Sequence, residues 1–539
     1  MPTLNWIGKD AVEHHHAEVP YRLVHCDGDL SAGDPDAGNL LVQGDNLEAL
    51  KALMPYYGGQ VKCIYIDPPY NTGNEGWVYN DNLNDPEIKK WLGHVVGSEV
   101  EDLSRHDKWL CMMYPRLRLL KKFLRDDGVI FISIDDNEID HLLLLLDMIF
   151  QRRNRIGVFV WRRRLTSDSR NTNNVSADHE YLVCYGGSHA ARFKGQDRDE
   201  EKYKNPDKDP RGAWMSDNLT GLADAKSRPN LHYVVKNPET NATYPPHPQR
   251  GWAVAPDTME RLIEEGRILW PKSATGRPRI KRYLAELGER RAGYSTIVNA
   301  PTNQAGTRTL NDIFGEKVFD FPKPHEYVME VISQIAVNDG DLVLDSFAGS
   351  GTTGQAVLSL NKQDGVSRRF ILIEMNRNTS EQVTAVRLNR VIDGYDKGGD
   401  SSKPIEGLGG GFRYCRLGVP LFNEFGDIDT AVSFPDLAAH IFFAETGVPI
   451  PSKATGNSPY LGKHGSKAVY LLFAPGQEGM PREAMGNVLT PDALANLPAP
   501  PEGFEGSRVV YAEGCTVSPD RLKSEGVVFK QIPYQVEGV

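Results

Sequence analysis

"DLVLDSFAGSGTTGQAV", residues 341–357, decides the fold. An apolar run ends in Asp345, a glycine loop follows, and a helical pattern begins at once. Gly349-x-Gly351-x-x-Gly354 permits a tight turn and lets the backbone approach a ligand at a helix N-terminus. Glu374 closes the next apolar stretch, "RRFILIEM", about twenty residues on, where an acid accepts hydrogen bonds from ribose hydroxyls. A glycine fingerprint alone is weak. Strand, helix and acid in this order predict an adenosine-bearing ligand on a Rossmann-like sheet. NAD and S-adenosylmethionine both satisfy that pattern.

"CIYIDPPYNTG", residues 63–73, separates them. Two prolines in a row fix φ and donate no backbone hydrogen bonds, so the strand through Ile66 must stop at Asp67. The stiff turn holds a carboxylate, Asp67, a free carbonyl, Pro68, and an aromatic ring, Tyr70, with Pro69 locking the set. A nucleobase amine is conjugated into its ring and is a poor nucleophile. A carboxylate and a carbonyl accepting its two N–H bonds draw the nitrogen towards sp³ character as a methyl group arrives. The ring stacks a base taken out of the duplex. An NAD enzyme would leave this loop idle.

Strands and helices alternate on both sides of these motifs. "NLLVQGDNLEALKALMPYY" reads as strand, turn and helix, "WLCMMYPRLRLLKKFLRDDG" as a helix closed by Gly128, and "VIFISID" as a buried strand. Asp135 and Glu138 fit a capping box for the helix in "DDNEIDHLLLLLDMIF". This alternation predicts a mostly parallel α/β sheet. From about Gly187 to Asn311 the chain is polar and rich in Pro, Asn and Arg, and "DKGGDSSKPIEGLGGG", 396–411, reads as a flexible link. In the last region Thr490 and Ser518, each followed by proline, read as helix N-caps.

The 539 residues suit roughly two to four domains. The net charge of −11 argues against a uniformly basic nucleic-acid binder, but residues 151–293 hold 27 Lys and Arg against 18 Asp and Glu. Such an asymmetry marks either a nucleic-acid face or a solvated surface. Six scattered cysteines without a CxxC pair imply reduced thiols and no zinc site, and His14-His15-His16 reads as a solvated run. No apolar run reaches the roughly 20 residues of a membrane span, and "MPTLNWIGKDAVEHHH" carries no signal pattern. The expected location is cytoplasmic, with no membrane partner.

The order of motifs resembles the permuted DNA adenine-N6 methyltransferases, and more closely the modification (Mod) subunits of type III restriction-modification systems. "LLVQGDNLEALKAL", "VKCIYIDPPYNTG", "GVIFISIDDNE", "FPKPHEYV", "LVLDSFAGSGTTGQAVLSLN", "RFILIEMN" and "GGGFRYCRLG" carry the likeness over about residues 39–422, joined by "PPHPQRGWAVAPDTMERLIEEGRILWPKSATGRPRIKRYL" in the middle and "VVFKQIPYQV" at the end. The resemblance implies a Rossmann-like S-adenosylmethionine-dependent methyltransferase sheet with an inserted target-recognition domain and a small α/β C-terminal domain. The boundaries it implies are an extension over 1–38, methyltransferase parts over 39–186 and 312–422, recognition over 187–311, and a last domain over 423–539.

By the same resemblance Asp67, Pro68, Pro69 and Tyr70 are the catalytic loop. Asp67, Asp345, Phe347, Gly349, Gly351 and Thr352 lie at the cofactor, Glu374 at its ribose, Asp45 near its adenine, and Lys323-Pro324 before the helix that closes over its methionine end. Arg277, Arg279, Lys281 and Arg282 are the densest basic cluster and are expected at DNA phosphates. Trp161-Arg162-Arg163-Arg164 with "SDSRNTNN" is either a phosphate contact or a solvated loop, while Trp214, Trp252 and Trp270 read as core. Double-stranded DNA is the implied substrate, with a homodimer and a helicase–nuclease subunit as implied partners. No metal is needed for the transfer, because the sulfonium carries the leaving group. Two readings stay open beside it: methylation of cytosine N4, where serine more often replaces the acid, and a mainly sequence-reading subunit of a defence nuclease.

Overall fold

The computed structural model describes residues 4–72, 90, 93–94, 104–167, 174–197, 199–247, 249–273, 276–287, 291–423, 427–474 and 486–532. Residues 168–173 of "SDSRNTNN", 274–275 of the basic stretch and 533–536 of "VVFKQIPYQV" lie outside them. Among the described residues no helix is long and apolar enough to cross a membrane.

One compact unit comprises residues 1–194 and 295–539. Its elements are β1 (Arg22–Gly33), β2 (Leu40–Gln43), α1 (Asn46–Tyr57), β3 (Val61–Ile66), α2 (Arg105–Phe123), β4 (Leu124–Ile134), α3 (Ile139–Leu146), β5 (Arg155–Arg162), β6 (His179–Gly186), β7 (Ile297–Val298), α4 (His325–Ser333), β8 (Leu342–Asp345), α5 (Thr352–Asp364), β9 (Arg369–Glu374), α6 (Ala385–Asp393) and β10 (Gly411–Pro420). They build a ten-stranded sheet in the order β1-β10-β2-β9-β8-β3-β4-β6-β5-β7. The run from β10 to β4 is parallel, whereas β1 and β6 are antiparallel to their neighbours. This is an α/β fold with a Rossmann-like centre. Every residue of β3 and β8 is buried, as central parallel strands covered on both faces require.

Several local expectations give way to longer-range contacts. The helix expected to close at Gly128 ends at Phe123, and Gly128 lies inside β4. A Cβ there would sit 2.8 Å from the Val61 carbonyl, so this glycine serves strand approach and not helix termination. Asp135 does not cap α3. Its Oδ1 accepts from the Asn137 amide 2.9 Å away, while the helix begins at Ile139 with Glu138 turned inward. The stretch over 396–411 is not a free link either, since Gly394–Asp396 pairs with Pro404–Glu406. Residues 1–38 contribute β1, the edge strand against β10. That register sets Cys26 opposite Cys415, and the two are joined as a disulfide, which corrects the expectation of six free thiols.

The C-terminal region forms a four-stranded sheet from Tyr460–His464, Lys467–Leu472, Ser507–Ala512 and Val527–Gln531. Thr490 caps Pro491–Ala495 by accepting from the Ala493 amide, while Ser518 stands at the N-cap of Pro519–Ser524 without a side-chain bond. Leu461, Val469, Leu471 and Val509 join the same apolar cluster as β3 and α2.

The second compact unit is Gly195–Tyr294. Its three-stranded sheet sets Arg279–Tyr283 between Ile268–Leu269 and Trp214–Asn218. It has its own core of Leu219, Val235, Trp252, Met259, Leu262 and Ile268. Trp252 is in that core and Trp270 stacks on Tyr244, whereas Trp214 is half-buried with its indole donating to Asp207.

Candidate active site

The order β2-β9-β8-β3 brings four carboxylates to the carboxyl ends of adjacent parallel strands: Asp45 after β2, Glu374 on β9, Asp345 on β8 and Asp67 after β3. Ligands of open parallel sheets bind in that crevice. The glycine loop is built as its spacing suggests. Gly349 and Gly351 have φ of 50° and 80°, in the left-handed region that favours glycine. Gly351 is the N-cap of α5. Gly354 acts through packing instead. A Cβ there would meet Leu388 at 2.7 Å and Leu372 at 3.0 Å, so its absence lets α5 close on its neighbours.

Glu374 is buried and ties the loop down. Its Oε2 accepts from the Gly349 amide at 2.8 Å and its Oε1 from the Asn376 amide at 2.9 Å. Asp345 accepts from the Phe347 amide at 2.9 Å and the Thr353 hydroxyl at 2.5 Å. Burial pushes the Asp345 carboxyl up to about 7, against the pull of those two donors, and Asp67 adds to the rise. Thr352 begins α5, and its hydroxyl lies 2.9 Å from an Arg387 nitrogen and 3.4 Å from the Lys323 carbonyl. Arg387 underpins the loop, with bonds to Gln355 and Ser350 as well. Burial lowers its pKa to about 9.

Asp45 does two structural jobs. It caps α1 through the Leu47 and Glu48 amides, and its Oδ2 pairs with Arg116 at 2.9 Å. A cavity of about 710 Å³ opens beside it, lined in part by Leu47, Glu48, Pro20 and Met375. A narrow one of about 30 Å³ touches Pro69, Phe347, Glu374 and Met375. Phe347 and Pro69 thus line one pocket.

At the end of β3 the loop is pinned from several sides. The Trp109 indole donates to the Pro69 carbonyl at 2.6 Å. The Tyr70 hydroxyl donates to Asp67 Oδ1 at 2.8 Å and lies 3.2 Å from Glu180 Oε2. Lys323, immediately before Pro324 at the N-cap of α4, reaches Asp67 Oδ1 and Oδ2 at 2.9 and 2.8 Å and the Tyr70 hydroxyl at 2.8 Å. Its ammonium also lies 4.8 Å from the Tyr70 ring centroid. Glu180 lies 3.3 Å from Lys323 and 3.0 Å from Arg163. The result is a buried set of two carboxylates and two cations.

Burial pushes the Asp67 carboxyl above its ordinary range, Lys323 and the Tyr70 hydroxyl oppose that, and Glu180 adds to it. Burial also acts on Glu180, but Lys323 and Arg163 outweigh it and hold that carboxyl below the ordinary range. The two acids therefore separate in character. Sequence reasoning expected Lys323 at the cofactor, and the structure brings it to the Asp67 carboxylate. It gave Glu180 and Arg387 no part. "HEYLVCYG" held the signal for Glu180, as an acid near the start of an otherwise apolar strand.

The basic cluster in the second unit divides. Arg277 is exposed. Arg279 is exposed and bonds Ser216, and Arg282 pairs with Asp217 at the surface. Lys281 is not a surface group. It is 8% exposed, pairs with Asp207 and Asp209, and sits over the Trp214 ring. Its place is the fold of that unit and not a phosphate. Of the stretch from Trp161 to Arg164, Trp161 is core, stacked on Tyr327, and Arg163 belongs to the carboxylate cluster.

A family model described as "DNA methylase" matches residues 61–385. The type III restriction-modification enzyme StyLTI Mod subunit of Salmonella typhimurium is 32% identical over 461 residues, covering 79% of this chain and 68% of that protein. The EcoP15I Mod subunit of Escherichia coli is 29% identical over 446 residues, covering 72% and 67%. The chain spans about two thirds of the length of each. The type II methyltransferase M.KpnI of Klebsiella pneumoniae is 34% identical over 399 residues, covering 68% of this chain and 90% of that protein.

Proposed function

We propose that this chain, which belongs to the DNA methylase family, transfers a methyl group from S-adenosylmethionine to N6 of adenine in duplex DNA as the modification subunit of a restriction-modification system. The observation that carries the reading is the position of Lys323. Its ammonium donates to both oxygens of Asp67 and to the Tyr70 hydroxyl. That carboxylate is where an extruded base would place its amine, and the Lys323 ammonium is likewise a nitrogen with hydrogens to donate to it.

Asp345, Phe347, Gly349, Gly351 and Glu374 would hold the cofactor, with Thr352 bracing the loop and Asp45 at the rim. The residues fit such a group: two left-handed glycines leave the strand end open, and two buried carboxylates stand on either side of it. The cofactor supplies an activated methyl group as a sulfonium. This chain's residues do the rest. Lys323 withdraws, Asp67 and the Pro68 carbonyl accept the two amine hydrogens, and Tyr70 stacks the base. As the nitrogen gained its methyl group and the S–CH3 bond supplying it broke to leave a neutral thioether, the surplus amine proton would pass to Asp67. The Tyr70 hydroxyl links Asp67 to Glu180, which gives that proton a hydrogen-bonded path to a second carboxylate.

Gly195–Tyr294 is the part of the chain we assign to reading the target, with Arg277, Arg279 and Arg282 near phosphate. We further propose a homodimer that works with a helicase–nuclease subunit in the cytoplasm. The test is nucleoside mass spectrometry and long-read sequencing of DNA from cells expressing the chain. N6-methyladenine at one short sequence, absent with Asp67→Ala, is the expected result. N4-methylcytosine instead, or unmodified DNA from a protein that binds cofactor, would overturn the reading.

A further inference from the structure

Beside the catalytic loop lies a cluster that methyl transfer does not use. Glu138 is fully buried. Its Oε1 faces His106 Nδ1 at 2.7 Å and its Oε2 faces His141 Nδ1 at 2.8 Å. The Asn71 side-chain amide donates to the same Oε1. Ligand atoms of the three residues lie within 4.8 Å of one another, and the imidazole rings are 4.9 Å apart. Among the described residues, the ion-pair partners of Glu138 are these two histidines. A buried carboxylate is costly unless a positive charge offsets it.

We propose that His106, Glu138 and His141 form a binding site for one divalent cation of the zinc, cobalt(II) or nickel(II) class. Two imidazole nitrogens and one carboxylate are the donor set such borderline ions take, whereas magnesium and calcium prefer oxygen throughout. The present spacing of nitrogen to oxygen is close to that of two ligands on one ion, so small side-chain shifts complete the geometry. In each imidazole the proton moves from Nδ1 to Nε2 as Nδ1 becomes a ligand. Both side chains are about a third exposed, at 36% and 35%, which leaves a side of the site open to ion entry and to water ligands. The Asn71 amide orients the carboxylate from behind, as metal-bound carboxylates require.

The site's place in the fold says what the ion would do. His106 is in the first turn of α2, and Glu138 and His141 are at the start of α3. Asn71 directly follows Tyr70, is buried, and holds a left-handed φ of 58°, a conformation asparagine adopts more readily than most other non-glycine residues. Its amide also donates to the Arg105 carbonyl. An ion here braces the turn by which the chain leaves the catalytic loop. It takes no part in the transfer itself. In the sequence the signal is the Glu138-x-x-His141 spacing, which places both groups on one helical face.

Calorimetry with Zn2+ and visible absorption with Co2+, on chelator-stripped full-length protein, test this without measuring methyl transfer. We expect one saturable equivalent, a Co2+ spectrum with nitrogen ligands, and a raised melting temperature. His106→Ala and His141→Ala should each weaken binding by about 100-fold or more, and Asn71→Gly, which keeps the backbone conformation, by about 10- to 100-fold. If the alanine variants fold poorly, His141→Gln, which retains a donor to Glu138, should show the same loss. Changing His14 and His15 to alanine should leave binding unaltered. Absence of saturable binding, or binding that survives loss of both His106 and His141, would overturn the proposal.

Discussion

Asp345→Asn changes one atom of a carboxyl whose pKa burial has raised from 3.8 to about 7. In the cofactor-free chain near pH 7 that group is about half protonated. The cofactor brings a sulfonium and an ammonium, and binding therefore selects the ionised form. The expected linkage is about half a proton released on binding near pH 7, rising towards one below it, and an affinity that falls about tenfold per pH unit below 7, or about 50-fold between pH 7 and pH 5. Stability of the free chain runs the other way. A carboxyl with a raised folded-state pKa contributes stability that is fully present below 3.8 and is lost as the pH rises through about 7. The whole interval corresponds to about 4 kcal/mol. Calorimetry in two buffers of different ionisation enthalpy, from pH 5 to 8, reads the released proton directly. Asp345→Asn should bind cofactor weakly, release fewer protons, and show a smaller pH slope of both affinity and melting temperature. Identical heats in the two buffers for the unmodified chain, or slopes unchanged in the variant, would refute the assignment.

Two changes should move the pH–rate profile in opposite directions. Lys323→Met removes the cation that opposes protonation of Asp67 in the free enzyme, so the acid limb of kcat/KM should shift to higher pH. Glu180→Gln removes a repelling charge, and the limb should shift to lower pH; a common direction would separate these residues from Asp67. Gly354→Ala drives a methyl group against Leu388 and Leu372 and should cost about 1–3 kcal/mol in denaturant unfolding. Lys281→Ala removes the ammonium shared by Asp207 and Asp209, leaving Arg211 on Asp209, and should lower the melting temperature of the chain. Arg277→Ala should leave stability unaltered and lower the salt slope of DNA binding by roughly one.

What the sequence made legible is whatever is encoded within one strand and its turn. Asp67 is marked by the prolines that stop β3, and Asp345 and the glycines by the strand-to-helix switch. Glu374 is marked by its place at the end of an apolar run. Glu180 joins the Asp67 cluster because β6 lies antiparallel beside β4, and Arg163 meets Glu180 because β5 lies antiparallel beside β6, and no local pattern states that. Asp135 and Glu138 fit a capping box by spacing alone. The carboxylate of Glu138 instead meets His106 from α2, a tertiary contact that outweighs the local preference. Lys281 looked like one of four clustered cations, and only the pairing of its strand with Trp214–Asn218 shows that it points to two aspartates. Arg387, which braces the glycine loop from α6, is of the same long-range kind.

The interleaved strand order has a consequence for synthesis. β2 and β3 are neighbours in the chain, yet in the sheet they are separated by β9 and β8, and β8 begins about 275 residues after β3 ends. At roughly 5–20 residues per second, a nascent chain exposes the edges of β2 and β3 for on the order of 15 to 55 seconds before the strands that belong between them leave the ribosome. During that wait both offer backbone donors and acceptors to each other and to anything nearby. The short length of β2, four residues, and the prolines that cut β3 off at Ile66 limit how firmly a wrong ladder can zip. Gly195–Tyr294 emerges within the same interval and carries a core of its own, so the ribosome delivers the middle of the molecule before the sheet around the catalytic loop can close.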